Sequence, residues 1–275
     1  MKSGQILILV LLIVVVALAV GLSVASRNIV NLRTSTQTKE SQRAFGAAEG
    51  GVEDVLSKLS TISNDIKLGT SASGCTVVGD TASCNVPVSD INAAVKVKGS
   101  KVYESKVELG EVGQIDLSSG VSAGAQIQVE WAKGSAENPA DGPASVEMTE
   151  VFVTAPYSQL RWFIQGKAGP NRDETLGSSP AVSTCTSTSG YQKCVVITLN
   201  AVGAPVMLRI KPYWISTTVK VSGVGFDLPV QTYDISSSAS SSVGVTRAVQ
   251  VKRTALPMMP AVFDYAMFSE DNILK

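Results

Sequence analysis

Between Gln5 and Ser26 the chain carries no charged residue, and Ile6 to Val24 holds fifteen Leu, Ile or Val side chains. Each contributes roughly −0.3 to −0.6 kcal/mol to bilayer insertion, so their sum favours a membrane position decisively. At 1.5 Å per residue, the stretch from Ile6 to Ala25 covers about 30 Å, the hydrocarbon thickness of a bilayer. No second run of this kind follows, so the rest of the chain is expected on one side of a membrane crossed once.

Counting basic residues does not orient that span, because Lys2 and the amino terminus precede it while Arg27 and Arg33 follow it. The cysteines are more informative. They fall as Cys75/Cys84 and Cys185/Cys194, two equally spaced pairs in segments that read as short strands around a Gly-containing turn. Hairpin disulfides fit that spacing, each worth about 2–3 kcal/mol by restricting the unfolded chain. Disulfides persist in oxidising compartments, which puts the domain outside the cell. A zinc site of all four cysteines is the competing reading, but zinc knuckles use closer pairs.

No proline occurs before Pro87, so the apolar helix can continue past the membrane face. Arg27 to Arg43 is polar, and then Phe45, Ala48, Val52, Val55, Leu56, Leu59 and Ile62 recur at three- and four-residue steps. The pattern predicts one helix from Gln5 to Leu59, about 80 Å long, ending no later than Gly69 or Gly74, with its upper stripe covered by whatever follows. Gly50 and Gly51 within it mark either a loosening or a close approach of another backbone. Ala17, Gly21 and Ala25, and again Gly46 and Gly50, are spaced by four. Such small faces let helices approach one another closely in lipid.

These N-terminal features resemble the type IV pilin-like proteins, especially PilX-type minor pilins and the K-type tip pseudopilins of type II secretion. Met1-Lys2-Ser3-Gly4 looks like the short basic leader that prepilin peptidase removes after glycine, which implies Gln5 as the mature, N-methylated first residue. The uncharged run, its polar continuation and the segment AFGAAEGGVEDVL from Ala44 to Leu56 follow in the family's order. GVTRAVQVKR from Gly244 to Arg253 and PAVFDYAMFS from Pro260 to Ser269 are similar to C-termini of such minor pilins. Two positions depart from the pattern. Gln5 stands where the family has phenylalanine, and Leu9 where most pilins carry a glutamate thought to neutralise a neighbour's amino terminus in the fibre. Tip-type pseudopilins are similar in lacking that glutamate. A different processing route is open, because Ala17-Leu18-Ala19 and Val24-Ala25 resemble signal-peptidase sites, and cleavage there would release a secreted protein.

Beyond Gly69 the period changes to two. Ala94–Lys98, Gln126–Trp131, Glu147–Val153, Val195–Leu199, Val206–Ile210, Thr217–Val221 and Val245–Val251 read as strands. Long loops at Ala136 to Pro143 and Gly166 to Thr184 separate some of them. The fold class is therefore α+β: a long N-terminal helix, then a mainly antiparallel β domain of some eleven strands, as a sandwich or paired small sheets. The divisions are 1–4 leader, 5–26 transmembrane half, 27–68 extended amphipathic half and 69–275 β domain. The constant offset between the cysteine pairs suggests subdomains 69–156 and 157–275, with a boundary near Tyr157.

The chain has 23 basic and 23 acidic residues and no histidine. Zero net charge gives no electrostatic reason to bind nucleic acid, and the missing imidazole excludes Ser-His and Cys-His nucleophile pairs and His-ligated metals. Glu147 and Glu150 are three apart, on opposite faces of a strand, and are not expected to pair as acid and base. Glu270 and Asp271 read as a solvated tail. Asn138, Asp141 and Gly142 form a turn rather than a calcium loop. Trp131, Trp162, Tyr213 and Trp214 are expected in the core rather than on a sugar-stacking surface, and Arg247, Lys252 and Arg253 keep a sheet edge soluble. No catalytic residue, metal, cofactor or small-molecule substrate is predicted. The expected partners are pilin-like subunits, membrane lipid before assembly, and prepilin peptidase; the expected location is a single-pass membrane protein displayed at the cell surface. A monomeric anchored adhesin is the rival reading, and a surface enzyme using Ser/Lys or carboxylate chemistry a further one.

Overall fold

The computed structural model describes residues 3–140, 142–154, 157–166, 180–187 and 190–260, with side chains from Val10 onward. α1 (Ser3–Ser57) runs for 55 residues, about 83 Å of helix. At Lys58 the backbone leaves the helical region (φ −102°, ψ 8°) and its N–H is shared between the carbonyls of Asp54 and Val55, at 3.3 and 3.2 Å. α2 (Leu59–Leu68) continues directly. Gly69 ends it at φ +66°, a left-handed conformation that glycine adopts without steric penalty. The expected single rod is thus two helices joined by one residue.

Fifteen strands follow among the described residues, all paired antiparallel in three five-stranded sheets. Sheet 1 has the order β1 (Thr76–Val78), β2 (Thr81–Val88), β3 (Ile91–Ser100), β13 (Thr232–Ser240), β14 (Thr246–Thr254). Sheet 2 runs β4 (Tyr103–Val107), β12 (Thr217–Gly223), β6 (Gln126–Lys133), β10 (Tyr191–Thr198), β9 (Ser183–Thr184). Sheet 3 runs β15 (Met259–Pro260), β5 (Glu111–Asp116), β11 (Ala204–Tyr213), β7 (Ser145–Val153), β8 (Tyr157–Ile164).

Two cores result. In the first, one face of the helix packs on sheet 1: Ala47, Ala48, Val52, Val55, Leu59, Ile62 and Ile66 meet Ala93, Val95, Val97, Tyr233, Ile235 and Ala239. The packing tapers. Ala44, Ala47, Ala48 and Gly51 supply the lower turns, so the helix lies closest to the sheet there. A Cβ added to Gly51 would stand 2.7 Å from the Ala93 Cβ and 2.9 Å from the Ser237 Oγ. Phe45, expected in the stripe, is instead 45% exposed, because the face that touches the sheet is the one carrying alanines. In the second core, sheets 2 and 3 enclose Trp131, Trp162, Ile115, Ile127, Met148, Ile197, Leu208 and Val219. Gln231 ties the two bodies together: it accepts from Asp116 N, and its amide donates to Asp116 O.

The division at Tyr157 does not hold. Each sheet pairs strands from both sides of that position, and Tyr157 itself pairs with Val153 inside the β7–β8 hairpin. The equal cysteine spacing reflects two hairpins of similar size, each at a sheet edge, rather than two folding units.

Candidate functional site

Every side chain of α1 from Val10 to Lys39 is exposed, and burial begins at Glu40. The lower helix therefore projects from the domain, apolar up to Ala25 and largely polar from Arg27. Among the described residues one helix, Val10–Ser57, is long and apolar enough to cross a membrane, with a window of mean hydropathy 2.4 and none of that window buried. Ala17, Gly21 and Ala25 lie on this free segment, and a Cβ placed on Gly21 meets nothing within 4 Å. Gly46 is similarly open, whereas a Cβ added to Gly50 would stand 3.0 Å from a methyl of Val88, so Gly50 faces its own domain. The backbone of Gly4 and Gln5 lies in α1; the side chains of Gln5 and Leu9 lie outside the described residues.

Where the rod meets the domain, charges fix its angle. Arg43 bridges Glu40 and Asp90, the latter in the β2–β3 turn, and Arg247 donates to the Ser41 hydroxyl at 2.7 Å from strand β14, the edge of sheet 1. At the far end of the helix Asp65 is buried and accepts from Thr70 Oγ1, Ala72 N and Ser73 N. The hydrogen bonds from Ser73 and Thr70 hold its carboxyl down to about 2. They also shape the loop that leads from Gly69 into Cys75. Disulfides join Cys75 to Cys84 and Cys185 to Cys194, with Cα separations of 4.4 and 5.3 Å.

Of the residues weighed for chemistry, Glu147 and Tyr213 meet. Glu147 accepts from Arg161 and from the Tyr213 hydroxyl, while Glu150, opposite Leu208, is fully buried and accepts from Asn200 N at 2.8 Å. Burial pushes the Glu150 carboxyl up. No group of three His, Cys, Asp or Glu fit for a metal occurs among the described residues. Asn138 and Gly142 lie in a turn held by Glu137, which accepts from Lys133 N and Thr218 N; Asp141 lies outside the described residues, as do Glu270, Asp271 and the tail beyond Pro260. Trp131 and Trp162 are core, the former donating to Ala144 O at 2.8 Å. Trp214 is not: it sits 52% exposed in the β11–β12 turn at φ +76°.

The projecting apolar helix, continued above as the spine of a β domain, is the arrangement to be explained. Residues 3–53 match the family model described as PilX N-terminal. The N-terminal region is that of a PilX-type type IV pilin. The match ends inside α1, so the PilX-type region comprises the rod and the first turns buried on sheet 1, and the three sheets lie beyond it. No curated protein and no solved structure matches the chain.

The helix is readable from the sequence; the Glu40–Arg43–Asp90 cluster and the role of Asp65 are not. The first depends on a turn far along the chain. The second left a faint local signal, an Asp just before Gly69 followed by Thr70, Ser71 and Ser73.

Proposed function

We propose that this chain is a minor pilin or pseudopilin-like subunit. Its lower helix holds the precursor in the membrane and then packs among the helices of like subunits in a type IV pilus or related secretion filament. The observation that carries the reading is the uninterrupted exposure of α1 from Val10 to Lys39 within a PilX-type N-terminal region. Exposed apolar side chains on that scale need a non-aqueous neighbour, first lipid and then protein. Prepilin peptidase would cut after Gly4, leaving N-methylated Gln5. The β domain and its two disulfides would then lie outside the cell. Ala17, Gly21 and Ala25 supply a close-packing face for neighbouring helices. The role is structural rather than catalytic, that of a subunit held by its helix.

The test is Ala17→Leu with Gly21→Leu. Two bulky groups on the small face leave membrane anchoring intact and should lower recovery of the chain in sheared filaments about tenfold. Unchanged recovery contradicts the packing role, and absence of the native chain from every filament contradicts the function. A monomeric anchored adhesin predicts that absence, together with an intact Met1.

A further inference from the structure

A polar cavity of about 440 Å³ opens at the joint between α1 and the lower end of sheet 1, lined by Glu40, Arg43, Asp90, Asn92, Ser240 and Ser241 among others. It contains an electrostatic imbalance. Arg43 serves both carboxylates, donating to Glu40 Oε1 at 2.8 Å and to Asp90 Oδ2, so two negative charges face one guanidinium. Glu40 is 8% exposed and its Oε2 has no hydrogen-bond partner; Ser241 is 6% exposed and its Oγ has none either. A nine-tenths-buried carboxylate oxygen left unbonded is costly, because it has lost water and gained nothing in return. The cavity therefore asks for a donor-rich cation.

The same helix carries such cations lower down. Arg27 and Arg33 are exposed and form no ion pair among the described residues. They lie about 10 to 20 Å below Glu40 along the axis, too far to reach it within one chain. Lys39, although adjacent in sequence, points about 100° round the helix from Glu40. In a parallel neighbour displaced along the axis by that distance, the basic collar comes level with the cavity.

We infer that the Glu40 cavity receives an arginine of the Arg27/Arg33 collar from a second copy of this chain. The guanidinium presents a planar fork of donors to Glu40 Oε2, with Ser241 Oγ as a further acceptor. This rests on the filament reading, since parallel copies offset along the helix axis arise when anchored subunits are drawn into a fibre.

The experiment compares the fraction of native, Glu40→Gln and Arg27→Gln/Arg33→Gln chains recovered in sheared filaments, each as full-length protein in its own cells. Co-purification of tagged with untagged copies reports contact between like subunits. Glu40→Gln keeps an acceptor for Arg43, and the two arginines touch nothing in the domain, so unchanged thermal unfolding verifies that both variants fold. Each should lower co-purification about tenfold. Arg27→Lys with Arg33→Lys keeps both cations and should retain it in large part. Native co-purification that neither variant alters overturns the inference and leaves the filament reading standing. Loss with Glu40→Gln but not with Arg27→Gln/Arg33→Gln also overturns it and assigns the cavity to another cation. Absence of native chain from filaments overturns both.

Discussion

From Val10 to Lys39 every side chain of α1 is exposed, while from Ala44 to Ile66 one face of the same rod is buried on sheet 1. Up to Ala25 the lower segment is apolar nearly all round, the pattern of a helix surrounded by lipid or other helices, and from Arg27 it turns polar. The upper one is apolar on one face only, and that face is small near Ala44 and larger toward Ile66, matching Ala93 and Ala239 at one end and Val97 and Tyr233 at the other. One helix thus answers to two environments. The change comes at Glu40 and Arg43, where the first charges turn toward the domain.

That contrast can be broken or sharpened. Ile62 is fully buried, so Ile62→Ala should destabilise the β domain by about 2–5 kcal/mol in urea unfolding, whereas Ile13→Ala should leave it unchanged. Replacing Cys75 and Cys84 together by Ala should cost about 2–3 kcal/mol by the loop-closure argument, read in the same unfolding experiment without reductant. Gly51→Ala should cost about 1–3 kcal/mol, because the new Cβ meets Ala93, while Gly21→Ala meets nothing and should be silent.

The smallest effects are in pH dependence, and the two buried carboxylates should act oppositely. Glu150 is raised by burial, so stability is fullest below its unfolded value and declines as pH rises through the folded one. Glu150→Gln should remove that decline and be more stable than native near neutral pH. Asp65 is lowered to about 2, so its contribution is present above the usual carboxylate range and disappears as pH falls toward 2. Asp65→Asn should be less stable than native at neutral pH and converge with it in acid.

Much of this was legible in the residues. The uncharged run, the absence of proline before Pro87 and the step pattern up to Ile62 are local signals, and β-branched alternation marked β3, β6, β7 and β11. What failed was long-range. Strand β13, TYDISSSAS, hides among serines because its partners on both sides, β3 and β14, determine that it is a strand. Phe45 looked like a core residue until the sheet chose the alanine face. Trp214 looked internal because aromatics are scarce in this chain, yet it occupies a turn. The Glu40 cavity was unreadable, since it forms only when a helix near position 40 meets serines near position 240.

The central claim is that the rod leaves lipid for other subunits. Mass spectrometry of the chain recovered from sheared surface filaments tests it most directly. The account predicts a subunit beginning at N-methylated Gln5 in the filament fraction; a chain confined to the membrane with Met1 intact, or released into the medium beginning at Val20 or Ser26, would contradict it.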